Sequence, residues 1–121
     1  MVEDIVFDGR LFAVIVSHGY ERPGVSFFTP GELSQQLGYM HHPAGHAIEP
    51  HVHNPVAREV TLTQETLIIR KGVLRVDFYD DDTSYLASRI VSAGDVVLLV
   101  AHSKDVAAAI DFFAEPHTKR D

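Results

Sequence analysis

The chain of 121 residues carries 10 Lys and Arg against 17 Asp and Glu, a formal net charge of −7 with histidine neutral. This length suits one domain with a single core, and the acidic charge disfavours nucleic acid and anionic membranes as partners. The chain has no cysteine, so disulfides, thiolate metal sites and cysteine nucleophiles are excluded, and any metal must be held by nitrogen and oxygen.

The first residues predict a β-hairpin over about 1–17. Asp8-Gly9 lies between two apolar runs, 5–7 and 11–16, and this dipeptide in that setting is a strong hairpin signal. The acidic N-terminus lacks the basic and apolar regions of a secretory signal, and no apolar run approaches the length of about 20 residues that spans a bilayer. We therefore expect a soluble, cytoplasmic protein.

The rest of the chain alternates short apolar runs with Gly, Pro and Asp, which predicts an all-β fold with little helix. The predicted strands are 26–28, 34–41, 66–69, 73–79, 85–91, 96–100 and 106–113. The last of these is ambiguous because its alanines favour helix, and we assign it as a strand. In 73–79, charged and apolar residues alternate, which predicts one solvent face and one core face. The even strand spacing suits a barrel or a sandwich.

The most specific pattern in the chain consists of Gly45, His51, His53, Glu65 and Gly72. In an extended strand, His51 and His53 would project to the same side and could bind one ion together. Glu65 adds a carboxylate. Two imidazoles and one carboxylate form the ligand set with which non-haem iron sites hold a divalent metal and leave positions open. The pattern therefore predicts a metal site accessible to substrate or water.

This pattern resembles the first motif of the cupin superfamily, which runs Gly, five residues, His-x-His, three or four residues, Glu, six residues, Gly. Five residues separate Gly45 from His51, and six separate Glu65 from Gly72. Eleven residues separate His53 from Glu65, which indicates an insertion in the loop between the two ligand strands. Such an insertion is tolerable because doubling a loop costs only about 0.6 kcal/mol in closure entropy.

The second cupin motif begins well at Gly94-Asp95 and then departs from the family pattern. The departures are Val100 for its Pro, His102 for its Gly, Asp105 for its His and Ala109 for its Asn. The fourth metal ligand is therefore open between His102, Asp105 and water. We favour His102, because neutral imidazole is the commonest metal ligand.

The resemblance covers roughly residues 35–105. Within the superfamily, the chain looks like small single-domain cupins of unassigned activity. The resemblance implies a double-stranded β-helix, or jelly-roll barrel, over about 35–113 within one domain spanning 1–121, with the metal in the barrel mouth. The implied function is a metal-dependent small-molecule enzyme using Fe, Mn, Ni or Zn. The reaction would be a dioxygenation, or an isomerisation or epimerisation of a polar, sugar-like or keto substrate. The alternative is a non-catalytic cupin binding module for a sugar or small acid, favoured by the missing His and Asn.

Two further expectations concern substrate and assembly. Arg58, in the inserted loop, could clamp a substrate carboxylate or phosphate through two parallel hydrogen bonds, and a surface salt bridge is the alternative. A homodimer is expected, because edge strands commonly pair and two-fold dimers are the commonest oligomers, with the N-terminal hairpin as the shared element. No Gly-x-Ser-x-Gly elbow or glycine-rich phosphate loop is present, which disfavours nucleophilic serine and nucleotide chemistry.

Overall fold

A computed structural model describes residues 1–57, 63–80, 82–101 and 108–113. Over these ranges the chain consists of β-strands and connecting loops without any helix, which confirms the predicted all-β class. Within the same ranges, no helix is long and apolar enough to cross a membrane. The strands are β1 (Val2–Phe7), β2 (Arg10–Val16), β3 (Gly24–Phe27), β4 (Gly38–His41), β5 (Thr63–Ile68), β6 (Val73–Tyr79), β7 (Tyr85–Ser92), β8 (Val96–Ala101) and β9 (Ala108–Phe113).

The internal contacts divide the chain into two compact units. The first comprises Met1–Tyr20 and Thr61–Asp121, and the second comprises Glu21–Val60. The first unit contains a four-stranded sheet in the order β1-β2-β8-β5 and a three-stranded sheet in the order β7-β6-β9, while the second contains the β3–β4 pair. All of these pairs are antiparallel. The described strands thus form three open sheets.

The N-terminal hairpin is confirmed. β1 pairs with β2 up to Phe7 and Arg10, which flank the turn. Asp8 and Gly9 both have positive φ, 55° and 71°. A two-residue type I′ turn requires positive φ at both central positions, and Asp-Gly is among the pairs that tolerate it best. The turn residues therefore specify the hairpin locally.

The core of the first unit lies between its two sheets. The four-stranded sheet contributes one face of β1, β2 and β8, and the three-stranded sheet contributes one face of β6 and β7. The fully covered members of this cluster include Ile5, Ala13, Val97, Val76, Phe78 and Val91, each at most 2% exposed. Burial of several such apolar side chains, at about 25 cal/mol per Å², supplies the main force that holds the two sheets together.

The predicted alternation in β6 is confirmed for its apolar face and needs correction for its polar face. Asp77 was expected in solvent, yet its residue is only 7% exposed. The guanidinium of Arg75 donates to both of its carboxylate oxygens, at 3.0 and 3.2 Å, and the Ser88 hydroxyl donates to Oδ1. The Ser88 hydrogen bond lowers the pKa of Asp77, burial opposes it, and Arg75 lowers the pKa further. Neighbouring side chains therefore cover this carboxylate.

An ion pair connects the two sheets of the first unit at their edges. Nε and Nη2 of Arg89 on β7 donate to the carboxylate of Glu3 on β1 at 2.8 to 3.0 Å. This contact lowers the pKa of Glu3, with its small burial acting in the opposite direction. Both side chains are partly exposed, at 49% for Glu3 and 37% for Arg89. The pair therefore helps to orient β1 and β7 and contributes little to the free energy of unfolding.

In the second unit the strand predicted from Ser34 begins only at Gly38. The preceding loop is folded on itself by Gln36, whose amide donates to the carbonyl oxygens of Pro30 and Leu33 at 3.0 Å and accepts from Thr29 Oγ1 at 2.8 Å. These local hydrogen bonds compete with strand pairing. β4 then pairs with β3 over four residues.

Candidate functional site

The two histidines of the His-x-His pattern lie in an irregular segment of the second unit. Residues 46–57 contain no strand, so the predicted ligand strand at this position is wrong. Pro50 and Pro55 bracket the pair, and a proline cannot donate the backbone hydrogen bond that a sheet requires. The placement of His51 and His53 therefore depends on the loop conformation and not on strand alternation.

The two imidazoles are nevertheless neighbours. The ring centroids of His51 and His53 lie 5.2 Å apart with an interplanar angle of 62°, and both residues are exposed. His51 Nδ1 donates a hydrogen bond of 3.1 Å to the carbonyl oxygen of Glu49. Because a carbonyl can only accept, a neutral His51 carries its proton on Nδ1 and leaves Nε2 with a free lone pair. This is the arrangement found in metal-ligating histidines, whose other ring nitrogen donates to a carbonyl or carboxylate.

Glu65 lies in the first unit, on β5. It pairs with Leu99 of β8 and, by strand alternation, shares a sheet face with Leu67, which packs against the core. Glu65 itself is exposed. Glu65 therefore lies on the core-facing side of the four-stranded sheet, opposite Leu99 of the apolar cluster, with its own side chain in solvent.

The remaining predicted site residues, Arg58, His102 and Asp105, lie outside the described residues. Of the described ones, His51 and His53 belong to the second unit and Glu65 to the first. No group of three or more His, Asp or Glu side chains within the described ranges is arranged to hold a metal ion. The structure thus brings the two histidines together as a pair.

The other histidines of the second unit are in loop or strand-end positions. The rings of His42 and His46 stack at 4.0 Å with an angle of 15°. His41 Nδ1 lies 3.9 Å from a carboxylate oxygen of Glu21, and both side chains are largely exposed. The second unit therefore holds two pairs of neighbouring imidazoles, His42 with His46 and His51 with His53. The pair formed by His51 and His53 belongs to the sequence pattern.

Sequence reasoning missed two features. The backbone carbonyl of Glu49 orients the His51 ring, a contact that the sequence pattern does not indicate. Asp8, predicted only as a turn residue, lines one cavity of the first unit together with Asp80. No signal in the sequence pairs these two carboxylates, because they are distant along the chain and meet through the packing of two hairpins.

Comparison with known proteins gave no match: no family model, no curated protein and no solved structure is significantly similar to this chain.

Proposed function

We propose that the chain is a metal-dependent small-molecule enzyme of the cupin type. The observation that carries the proposal is the exposed imidazole pair of His51 and His53, in which the Glu49 carbonyl holds His51 Nδ1 and leaves Nε2 free. Glu65 supplies the carboxylate and His102 completes the ligand set. A divalent Fe, Mn, Ni or Zn ion bound there would supply Lewis-acid or redox chemistry at its open coordination positions.

The donor chemistry suits such an ion. Imidazole nitrogen and carboxylate oxygen bind all four metals, and the absence of cysteine excludes the thiolates typical of structural zinc. The double-stranded β-helix is part of the proposal. It is supported by two antiparallel sheets that share one core in the first unit, with Glu65 on the core face of one of them.

The chain's own residues would each have a defined task. The Glu49 carbonyl orients the His51 ring, and the Glu65 carboxylate offsets the charge of the ion. Arg58 would hold a carboxylate or phosphate group of the substrate, the task to which guanidinium geometry is suited. The reaction would be a dioxygenation, or an isomerisation or epimerisation of a sugar-like or keto substrate, according to the element bound.

The test is metal content, measured by elemental mass spectrometry on untagged protein purified without chelator. Wild type should carry about one ion per chain, and the His51→Ala, His53→Ala variant should lose it. The matched control is His42→Ala, His46→Ala, which removes the other adjacent imidazole pair of the same unit. This control should keep the ion, and Glu65→Gln should bind it more weakly.

Thermal denaturation with and without added metal separates ion binding from folding. His51 and His53 are exposed, so their replacement should leave the metal-free unfolding temperature nearly unchanged. A ligand that binds only the native state raises that temperature, and the rise should vanish in the double variant. Wild type that is metal-free and fails to bind added ions would contradict the enzyme proposal and leave the non-catalytic binding module.

The expected homodimer is also a proposal, and an apolar surface of the second unit supports an interface there and not at the N-terminal hairpin. Val25, Phe27 and Met40 are 48%, 63% and 56% exposed. Val25 and Phe27 are two residues apart on β3 and therefore share a face. Met40 is the cross-strand partner of Val25, so all three side chains lie on one face of the β3–β4 pair. Contiguous exposed apolar surface of this kind marks an interface, and we propose a second copy of this chain as its partner.

A further inference from the structure

The first unit contains a cavity that the metal proposal does not use. It has a volume of about 270 Å³ and lies where the turn between β1 and β2 meets the connection between β6 and β7. Its lining residues are Phe7, Asp8, Arg10, Phe12, Asp80 and Leu86. None of these is a proposed metal ligand or substrate clamp, so the cavity is a separate feature of the molecule.

The floor of the cavity is apolar and aromatic. The rings of Phe7 and Phe12 meet edge to face, with centroids 5.6 Å apart and an interplanar angle of 84°. Phe12 belongs to the buried core, and Phe7 and Leu86 pack against that core. The floor is therefore held by well-packed neighbours, which gives a bound ligand a preformed apolar surface.

The rim of the cavity carries more negative than positive charge. Arg10 is the cation, and its guanidinium carbon lies 5.4 Å from the centroid of the Phe12 ring, while the residue makes further contacts. Asp80 Oδ1 accepts backbone hydrogen bonds from Asp82 and Ser84 at 2.9 Å, and no described group bonds to its Oδ2. The Asp8 carboxylate likewise accepts no hydrogen bond within the described part of the chain. Two carboxylates therefore have acceptor capacity left, whereas the guanidinium is engaged.

We infer that this cavity binds a small organic cation, an ammonium group on a short chain that carries an aromatic or branched apolar group. The apolar group would rest on Phe7, Phe12 and Leu86, and the ammonium would donate to Asp8 and Asp80. A cavity of about 150 Å³ is enough for benzene, so 270 Å³ accommodates a ring with a short side chain. The acidic rim also attracts a cation and repels an anion.

The probe is 2-phenylethylammonium, titrated into the protein and followed through the backbone amide resonances of residues 7–12 and 82–86. Two ligands of nearly the same shape serve as comparisons: 2-phenylethanol, which is neutral, and 3-phenylpropanoate, which is an anion. The ammonium should bind with a Kd of about 1 mM, at least about fivefold tighter than the alcohol, and the anion should show no saturation.

Variants at the rim test the role of each carboxylate while preserving the fold. Asp8→Asn keeps the turn, because Asn also tolerates positive φ before Gly. Asp80→Asn keeps the carbonyl oxygen that accepts the two backbone hydrogen bonds. Each should weaken binding of the ammonium about threefold and leave binding of the alcohol unchanged. Asp4→Asn is the control, because it removes the same charge from an exposed residue of β1 outside the cavity.

Leu86→Phe tests the floor, because the larger side chain takes up part of the cavity. This substitution should weaken the binding of both the ammonium and the alcohol. Equal binding of all three probes, or absence of saturable binding by the ammonium, would overturn the inference. The inference would also be overturned if Asp4→Asn weakened binding as much as Asp8→Asn. The preference for the ammonium would then reflect the overall charge of the protein and not the cavity.

Discussion

His18 and Asp95, which are 77 residues apart, are joined through a single carboxylate oxygen. The backbone N–H of His18 donates to Asp95 Oδ1 at 2.7 Å, and His18 Nδ1 donates to the same atom at 2.9 Å. The other carboxylate oxygen accepts the backbone N–H of Ser92 at 2.8 Å. Asp95 is 8% exposed as a residue, whereas the His18 side chain is 62% exposed. The carboxylate thus ties the end of β2 to the turn between β7 and β8.

This geometry predicts that Asp95 contributes more to the free energy of unfolding than His18 does. In Asp95→Ala the backbone N–H groups of His18 and Ser92 lose their acceptor in a partly buried position, so the free energy of unfolding should fall by about 2 to 3 kcal/mol. In His18→Ala both backbone hydrogen bonds remain and only the exposed ring is lost, so the fall should be about 0.5 to 1 kcal/mol. Urea unfolding followed by circular dichroism measures both. Equal losses in the two variants would show that the ring carries the contact.

The Asp95 carboxylate also predicts a loss of stability in acid. Burial by itself would raise the pKa of Asp95, but the hydrogen bonds from the backbone of Ser92 and His18 and from the His18 ring lower it below its ordinary value. The contribution is therefore fully present above the unfolded-state pKa, about 3.9, and is lost as the pH falls through the lower folded-state pKa. The difference in unfolding free energy between wild type and Asp95→Asn should shrink as the pH falls from about 5 to about 3. A difference that is constant over this range would contradict the pKa direction.

Gly94 allows the close approach of His18 and provides a matched pair of variants. Its φ is +93°, and a Cβ at this position would lie 2.7 Å from the Cβ of His18. Gly72 has a similar φ of +78°, and no atom would lie within 4 Å of a Cβ added there. Gly72→Ala should therefore cost only backbone strain, about 1 kcal/mol, whereas Gly94→Ala adds a steric clash and should cost about 3 kcal/mol. Urea unfolding of the two variants gives the difference, and equal costs would mean that His18 moves away freely.

The elements that could be predicted from the sequence are those with local signals. The N-terminal hairpin follows from Asp8-Gly9, whose dihedral angles are those the turn demands. The core face of β6 follows from its alternation, because Leu74, Val76 and Phe78 are buried as the period of two requires. Such signals depend on neighbouring residues in the chain and do not need the tertiary structure.

The features that could not be predicted depend on contacts between distant segments. The contact between His18 and Asp95 joins two turns that become neighbours only when β2 pairs with β8. The burial of Asp77 requires Ser88 from the next strand, so a period of two could not indicate it. The cavity near Phe7 likewise exists only because two hairpins pack against each other.

The proximity of His51 and His53 was predicted, but for a different reason from the one that holds in the structure. The sequence indicated that His51 and His53 are close because of strand alternation, and their rings are close, but in a loop. The prolines on either side explain the absence of a strand. The completion of the ligand set by Glu65 and His102 stays a prediction that metal content will test.

The apolar face of the β3–β4 pair predicts self-association. Phe27 is its largest exposed side chain, and its ring lies over Gly38, where an added Cβ would come within 2.8 Å of it. A two-stranded sheet is marginally stable alone, so a partner that covers this face would stabilise it. Wild type should be a dimer at about micromolar concentration, and Phe27→Ser should dissociate more readily, by about tenfold in Kd, because it removes a large apolar contact.

Sedimentation equilibrium at several protein concentrations measures this prediction. The matched control is Ile90→Ser on β7, which removes another apolar residue of similar exposure, 60%, from a different surface. It should leave the dimer intact, because the proposed contact does not include the three-stranded sheet. A wild type that stays monomeric at these concentrations would remove the homodimer proposal. Dissociation by Ile90→Ser but not by Phe27→Ser would move the interface to β7, which is an edge strand among the described strands and could pair with a second copy.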